Sequence, residues 1–391
     1  MPTVPTAPPR DDRELAAYAT IISDAFSAPC ERSTRYIGLV GREQVRLVRR
    51  DGGVVGGLVL LPQGQFFGGR PVPQAGLAAV AVAPEHRAGG DATALLKAVL
   101  TELHAAGIAL SSLYPATVKL YRRVGYELAG AACEVSLPAR TIDLRDRTLA
   151  VRPATDADEA AVHALYADWA RHIPGQLERI PFNWHRVHFH MDEPTQGYVI
   201  AAAGGPEGYA FLYHDKAAPG RTHVRVKDAV AATPAAARRL LTFLADYRTT
   251  RDLVLWRTGP ADPLFTLLGE TPYTLETKTP WMLRIVDVRA ALATRGYPVG
   301  LAAELHLAVH DDVLPANSGR WVLEVAGGRG TVSPGGRGAL ELDIRGLAAL
   351  YSGYQTPRDV VLAGRGQGDE AALATAGAIF AGPLPWMRDD F

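Results

Sequence analysis

Val80-Ala81-Val82-Ala83-Pro84-Glu85-His86-Arg87-Ala88-Gly89-Gly90-Asp91-Ala92 reads as an apolar strand that runs into a glycine-bearing turn and straight on into a helix. The helical pattern continues to residue 106, with Leu95, Leu96, Val99, Leu100 and Leu103 on one face and Gly107 as the stop signal. The first amides of a helix have no internal acceptor, and the helix dipole places partial positive charge there. Small residues at Ala88, Gly89 and Gly90 let the backbone approach a ligand closely, and Arg87 adds a cation. The turn therefore predicts a phosphate or pyrophosphate site. Taken alone it is also an ordinary strand-to-helix connection, so the decision depends on what surrounds it.

Upstream, residues 11–26 carry Leu15, Ala16, Tyr18, Ile21, Ile22 and Phe26 at helical spacing, and residues 44–48, 53–61 and 76–82 read as strands. Downstream come a short buried strand at 108–113, a short helix at 116–123 stopped by Gly125, and a strand at 126–137. This order predicts a mixed α/β fold. Near Thr148 it begins again: a strand entering a helix that reaches Tyr166, strands near 198–202, 208–214 and 223–229, a helix at 234–247 and a strand at 253–256. The echo predicts an internal duplication. In the second copy Thr233-Pro234-Ala235 stands where the glycine turn would be, so that copy is expected not to cradle a phosphate. A third portion starts near Arg284, with a half-buried strand through Ala303, Leu305, Leu307 and Val309, strands at 321–326 and 339–344, and a helix at 369–380.

The 391 residues hold 41 basic and 41 acidic side chains, a balance that argues against nucleic acid as a partner. No apolar run reaches the roughly 18–20 residues of a membrane span, so no membrane partner is expected. The only cysteines, Cys30 and Cys133, are read as free thiols of a reducing, cytoplasmic protein. Residues 1–10, rich in Pro and Thr, are read as a fraying tail rather than a signal peptide. His185, His188 and His190, followed by Asp192 and Glu193, have a spacing that can bind zinc. No cysteine lies near them, and no metal is expected.

About thirty residues beyond the glycine turn stands Leu120-Tyr121-Arg122-Arg123-Val124-Gly125-Tyr126. The turn and this segment, in that order and at that spacing, resemble the GNAT superfamily of N-acetyltransferases. The resemblance extends further through Val80 to Pro84, His86-Arg87, Tyr121, Gly125-Tyr126, the degenerate second half and the terminal Phe391. In these the chain is similar to the Eis (enhanced intracellular survival) acetyltransferases, strongly over the first 130 residues and loosely thereafter.

The resemblance implies two tandem GNAT-like mixed-sheet domains plus a C-terminal sterol-carrier-protein-like α/β domain, with limits at 1–140, 141–283 and 284–391. It implies a homo-oligomer, a hexamer, that moves acetyl from acetyl-CoA to an amine of a small polycation such as an aminoglycoside. Protein-lysine or peptide acetylation is the alternative on the same chemistry, and an apolar-ligand carrier with a vestigial GNAT part is the alternative of another class. Acetyl-CoA would lie along Val80, Ala81 and Val82, with Val82 giving the amide that polarises the thioester carbonyl. Its pyrophosphate would meet Arg87, Ala88, Gly89, Gly90, Asp91 and Ala92, and Ala116 would line the far side. Tyr121 would be the general acid for the leaving thiolate, and the carboxylate of Phe391 the proton acceptor. Glu85 and His86 are the competing bases, while Tyr126 is expected to pack. Tyr36 and Asp390 would face the acceptor. Ala88 and Gly89 stand where the family usually carries arginines, Ala79 where relatives can have a large aromatic, and Ser27-Ala28-Pro29 lacks an acidic residue of the family's substrate pocket.

Overall fold

In a computed structural model that describes residues 6–218 and 221–391, the carboxylate of Asp11 accepts the Glu14 amide at 2.9 Å and starts the first helix. From there the chain forms α1 (Asp12–Phe26), α2 (Cys30–Val40), β1 (Val45–Arg50), β2 (Gly53–Phe67), β3 (Arg70–Val82), α3 (Asp91–Ala105), β4 (Leu110–Leu113), α4 (Val118–Arg122) and β5 (Glu127–Pro138). It continues as β6 (Ala150–Pro153), α5 (Glu159–Arg171), β7 (Leu177–Glu178), α6 (Pro181–His188), β8 (Phe189–His190), β9 (Glu193–Pro194), β10 (Gln196–Ala202), β11 (Gly205–Ala218), β12 (Arg221–Ala231), α7 (Pro234–Ala245), β13 (Leu253–Thr258) and β14 (Thr274–Ile285). The last part is α8 (Val288–Thr294), β15 (Ala303–His310), β16 (Gly319–Ala326), β17 (Arg329–Pro334), β18 (Leu340–Asp343), α9 (Ile344–Ser352), α10 (Pro357–Leu362), β19 (Gly366–Gly368) and α11 (Glu370–Ile379). Among the described residues no helix is long and apolar enough to cross a membrane.

The chain divides into two compact units. The first holds the residues up to Ala129, Trp281–Pro383 and Phe391; the second holds Gly130–Pro280 and Leu384–Asp390. In the first unit one mixed sheet runs β1-β2-β3-β4-β14, antiparallel except for the parallel pair β3 and β4. The apolar face of α3 predicted from sequence (Leu95, Leu96, Val99, Leu100 and Leu103) is buried in a core with Val55, Leu58, Leu77, Tyr121, Tyr126, Met282 and Val286. The same unit carries a second sheet, β17-β16-β15-β18-β19, in which β15 and β18 are parallel. The sheet of the second unit runs β5-β13-β12-β11-β10-β6 and again has one parallel pair, β12 with β13. Its core gathers Val135, Leu137, Leu212, Val224, Leu240, Leu241, Leu244 and Val254.

Several boundaries differ from the sequence reading, each for a local reason. The strands read as 53–61 and 76–82 are longer. Prolines 62, 71 and 73 look like breakers, yet Gly68 and Gly69, both at positive φ (59° and 84°), close a hairpin that carries pairing from Gly56–Val82 out to Phe67–Arg70. Residues 30–40, to which the sequence reading gives no element, are α2; its start at Pro29 has no side-chain cap, and Ser33 and Ile37 are its buried residues. The strand read as 339–344 stops at Asp343, whose carboxylate accepts the Gly346 amide at 2.7 Å and starts α9 instead. Every residue of that helix except Arg345 is buried. The tail read as fraying is held from Ala7 on: the Leu47 amide donates to the Ala7 carbonyl at 3.1 Å, and Arg49 Nη2 to that of Pro8 at 2.9 Å. Residues 1–5 lie outside the described part.

Candidate functional site

The parallel pairing of β3 and β4 joins Gln74, Ala75 and Gly76 to Leu110, Ser111 and Ser112 and then ends. Beyond it β4 has one residue left, Leu113, while β3 runs on for six, Leu77 to Val82. The two strands part as a wedge. On its other edge β3 stays paired with β2, but with a bulge: Val59 faces Ala78 and Gly57 faces Ala81, so Ala79 and Val80 together oppose Leu58. Ala79 takes up the extra residue at φ 51°, a left-handed conformation that costs a non-glycine residue about 1–2 kcal/mol. The fully buried Tyr18 of α1 holds it there, its hydroxyl donating to the Ala79 carbonyl at 2.6 Å. Burial, and next the phenol of Tyr36 on α2, push the Tyr18 pKa well up, so the hydroxyl keeps its proton.

The orientation of the next peptides follows by alternation. The Ala83 amide donates to the Val55 carbonyl of β2 at 2.9 Å, so the amide and carbonyl of Val82 point the other way, into the wedge. That carbonyl accepts from Arg87 Nε at 3.1 Å; the amide is the group the site offers to a carbonyl oxygen. Arg87 Nη2 lies 3.6 Å from Asp24, so this arginine closes the strand end as well as adding charge.

The turn itself uses Ala88 at φ 65° and Gly90 at φ 90°. Gly90 is the N-cap of α3 and has no side chain to cap with, and the first helical bond is Ala94 to Gly90 at 3.0 Å. The amides of Asp91, Ala92 and Thr93 come before it and have no helical acceptor. This is a fit for a pyrophosphate: an open amide cluster, a dipole of the right sign and Arg87. The carboxylate of Asp91 takes no part. It is buried and turned to Arg50, accepting Nη2 at 2.5 Å and Nε at 3.1 Å, so only its amide serves. The second copy closes the equivalent helix start: Thr233 caps the Ala236 amide at 3.1 Å, and Glu207 accepts the Thr233 hydroxyl at 2.6 Å.

Tyr121 stands on α4, buried, edge-on to Tyr126 at 5.9 Å between ring centroids. Burial pushes its pKa up to about 12, and its hydroxyl makes no hydrogen bond among the described residues. Tyr126 packs as expected: fully buried, it shares a 2.7 Å hydrogen bond with Ser111, which donates to the Ala75 carbonyl at 2.8 Å. Gly125, at φ 88°, is required twice over, because a Cβ there would lie 2.8 Å from the guanidinium of the fully buried Arg284. Arg284 Nη2 donates to both oxygens of Asp311 at 2.8 and 2.7 Å. Glu127 accepts from Arg122 of α4 at 2.9 Å and from Arg345 of α9 at 2.9 Å, fixing the short helix from both sides.

The ring of Phe391 lies over Gly76, where a Cβ would come within 2.8 Å of it, and beside Tyr114 at 5.6 Å between centroids. Gly76 is the last paired residue before the wedge opens, so the terminal residue stands at its mouth. Ala116 is exposed in the loop before α4, since that helix begins at Val118 rather than at 116. Tyr36 is half-buried near Tyr18, and Glu85 and His86 form a 3₁₀ turn without any buried residue. Asp390 departs from its expected role. It belongs to the second unit and faces Arg186 at 3.6 Å, Arg257 at 3.7 Å and Lys227; these cations hold its carboxyl well below the usual range and offset the charge meant for a polycation. The three histidines each meet a different ring: His185 stacks on Phe189 at 4.7 Å, His188 meets Phe211 at 5.0 Å, and His190 stacks on Tyr213 at 3.8 Å. Sequence reasoning missed Tyr18, Tyr114 and Arg50, whose roles depend on partners more than thirty residues away.

Comparison with known proteins agrees with the fold. The acetyltransferase (GNAT) domain family matches residues 9–129, another acetyltransferase (GNAT) domain family matches 175–285, and the sterol carrier protein domain family matches 288–388. The chain is 31% identical to an uncharacterized N-acetyltransferase of Streptomyces coelicolor over 83% of its own length and 82% of the relative's. It is 30% identical to the N-acetyltransferase Eis of Mycobacterium tuberculosis over 80% of this chain and 79% of that one. The chain belongs to the Eis family of GNAT acetyltransferases. A GCN5-related N-acetyltransferase from Anabaena variabilis, 39% identical, superposes with a TM-score of 0.95 and covers 99% of this chain and 100% of its own. The fold is thus two GNAT domains and a sterol-carrier-like domain, and the protein is an acetyltransferase that uses acetyl-CoA as donor.

Proposed function

We propose that this Eis-family enzyme acetylates an amine of a small polycationic acceptor such as an aminoglycoside, using Tyr121 and the carboxylate of Phe391, and that it works in the cytoplasm as a homo-oligomer, a hexamer. The division of labour is residues 1–140 for catalysis, 141–283 as a degenerate GNAT copy, and 284–391 as a sterol-carrier-like domain that supplies the terminal carboxylate. The observation that carries the reading is one strand: β3 presents the Val82 peptide to the wedge, leads into the open start of α3, and bears the Phe391 ring on Gly76.

Acetyl-CoA supplies the activated thioester. The amides of Asp91 and Ala92, with Arg87, hold its pyrophosphate, and the free edge of β3 at Val80 to Val82 takes the pantetheine arm as an added strand. The Val82 amide meets the negative charge that develops on the carbonyl oxygen. The Phe391 carboxylate receives the proton of the attacking amine. Tyr121, neutral up to about pH 12, holds the proton that the departing sulfur needs. Every role falls to a protein group, and we assign none to a metal. The acceptor class rests on the family resemblance, because Asp390 gives it no support.

The carrier alternative is weaker. The 640 Å³ concavity on the five-stranded sheet is lined by Val309 and Leu342 together with His310, Arg320, Glu341, Asp343, Arg365 and Gln367, a mixed lining that does not single out an apolar ligand. The test is acetyl-CoA-dependent thiol release with aminoglycosides, spermidine, a lysine peptide and an arylalkylamine. Turnover with aminoglycosides is expected. Turnover confined to the lysine peptide overturns the acceptor class and leaves the acetyl-transfer reading standing.

A further inference from the structure

The second unit repeats the wedge. Strands β12 and β13 pair in parallel from His223–Leu253 to Val226–Trp256, and β12 then bulges: Leu212 faces Val226 and Phe211 faces Asp228, leaving Lys227 as the extra residue. As in the first copy, the bulge follows the last parallel pair, and β12 runs on to Ala231 paired with β11 but no longer with β13. The Ala232 amide donates to the Glu207 carbonyl at 2.9 Å, so by alternation the Ala229 peptide points away from β11 and into this second wedge. A second copy with a capped helix start has no use for a nucleotide there.

The place is taken by the chain's own residues 386–390. The indole of Trp386 lies against Gly259, just past β13, where a Cβ would be 2.5 Å from the ring. Gln176 Nε2 donates to the Trp386 carbonyl at 2.9 Å, and the Trp386 amide donates to the Pro174 carbonyl at 3.2 Å. Arg388 Nη1 donates to the Ala229 carbonyl and to Asp228 Oδ1, each at 2.7 Å, from the β12 side; Arg257 Nη1 of β13 donates to the Arg388 carbonyl at 3.1 Å. The Arg388 guanidinium also covers the Trp169 ring at 3.9 Å. Asp389 accepts Arg179 Nε at 3.0 Å and the Tyr166 hydroxyl at 3.2 Å.

The charges form an alternating row: Asp389, Arg179, Asp228, Arg388. Arg179 and Asp228, fully buried and 2.5 Å apart, belong to the receptor; the two outer charges arrive with the tail. Undocked, the receptor keeps the Arg179–Asp228 pair, and to this row the docking segment adds one positive and one negative charge, Arg388 and Asp389; its third charge, Asp390, meets Arg186, Arg257 and Lys227. The four-charge row is thereby balanced in both states.

We propose that the second GNAT copy has become a receptor for the C-terminal peptide Trp386–Asp390, seated between β12 and β13, where the first copy receives the pantetheine arm. Resting on the reading of Phe391 as proton acceptor, this docking is what sets the terminal carboxylate, with Arg388, Asp228, Arg179 and Gly259 as positioning residues.

The experiment compares full-length Arg388→Ala and Gly259→Ala with the parent for three quantities: release of the terminal residues by carboxypeptidase, the dissociation constant of acetyl-CoA, and kcat with the best amine. Gly259→Ala removes no buried charge, so it reads docking even where Arg388→Ala folds poorly. Loss of a buried charged contact should raise tail release by about 30-fold or more and lower kcat in step, with acetyl-CoA affinity unchanged and Arg388→Lys recovering part of both. Release as slow as in the parent from both alanine variants overturns the proposal. Faster release with unchanged kcat upholds the receptor and removes the Phe391 assignment, which separates the two readings.

Discussion

Tyr18→Phe removes one oxygen and tests how the wedge is held open. The Tyr18 hydroxyl donates to the Ala79 carbonyl at 2.6 Å from a fully buried ring. A buried hydrogen bond contributes about 1 kcal/mol net, and a carbonyl left without its donor costs a further ~1–3 kcal/mol. That bond stands against about 1–2 kcal/mol of left-handed strain at Ala79, so without it the bulge loses the contact that offsets its own conformation. Urea unfolding should show a stability loss of about 2 kcal/mol, and the melting temperature should fall by about 5 °C. Val82 lies three residues beyond the strained alanine. When the bulge relaxes its amide turns away from the wedge, and kcat/KM for thiol release should fall about tenfold or more. Adding Ala79→Gly to Tyr18→Phe should recover about 1 kcal/mol, because glycine holds the same φ without strain. A Tyr18→Phe enzyme that melts and turns over like the parent would refute the reasoning. Lost stability with full turnover would instead cut the bulge off from catalysis.

Tyr121→Phe should lower kcat by about 100-fold or more with unchanged acetyl-CoA affinity, measured by steady-state thiol release and calorimetry. Because burial raises the Tyr121 phenol to about 12, the parent's kcat/KM should rise with pH as the amine deprotonates and hold through pH ~10, where an ordinary phenol would already be ionising; a descending limb centred near 10 contradicts the assignment. Gly125→Ala places a methyl 2.8 Å from the Arg284 guanidinium at φ 88°, and should cost about 2–4 kcal/mol in chemical unfolding. Asp228 has its carboxyl held low by Arg179 and Arg388 against the desolvation of burial; a depressed carboxyl stabilises the fold above its unfolded pKa of about 4 and loses that contribution as pH falls further. Asp228→Asn should therefore lower the urea midpoint at pH 7 and flatten its decline below pH 4; an unchanged acid limb would place the acid sensitivity elsewhere.

Much of the first unit could be read from sequence because its signals are local. The strand, turn and helix at residues 80–105 show an apolar run, a glycine stop and a 3.6-residue stripe, all within one window. Tyr121 and Gly125-Tyr126 follow at a fixed distance. What escaped reading depends on partners far along the chain. Tyr18 reads as one more apolar residue of α1, and only the bulge sixty-one residues later gives its hydroxyl a purpose. Asp91 reads as part of the anion turn, yet its carboxylate belongs to Arg50. Asp390 reads as an attractor for cations until Arg186, Arg257 and Lys227 are seen around it. Helix α9 hides because it follows β18 without a loop, Asp343 ending the strand and capping the helix at once. The duplication was legible as an echo of element order, but the second bulge at Lys227 appears only in the strand register.

Arg284, Asp311 and Arg345 carry a consequence for how the enzyme can be cut. All three lie outside the stretch that matches the first acetyltransferase family, residues 9–129. Yet Arg284 fills the space behind Gly125, Asp311 neutralises it, and Arg345 clamps Glu127 close in sequence to Tyr121, while Met282 and Val286 lie in the same core as Leu95 and Tyr126. A gene fragment ending near residue 130 would expose that core and leave Glu127 with one of its two arginines. The boundary of the matched sequence and the boundary of the packed core fall in different places: the segment that matches the acetyltransferase family shares its core with side chains that the ribosome delivers only much later.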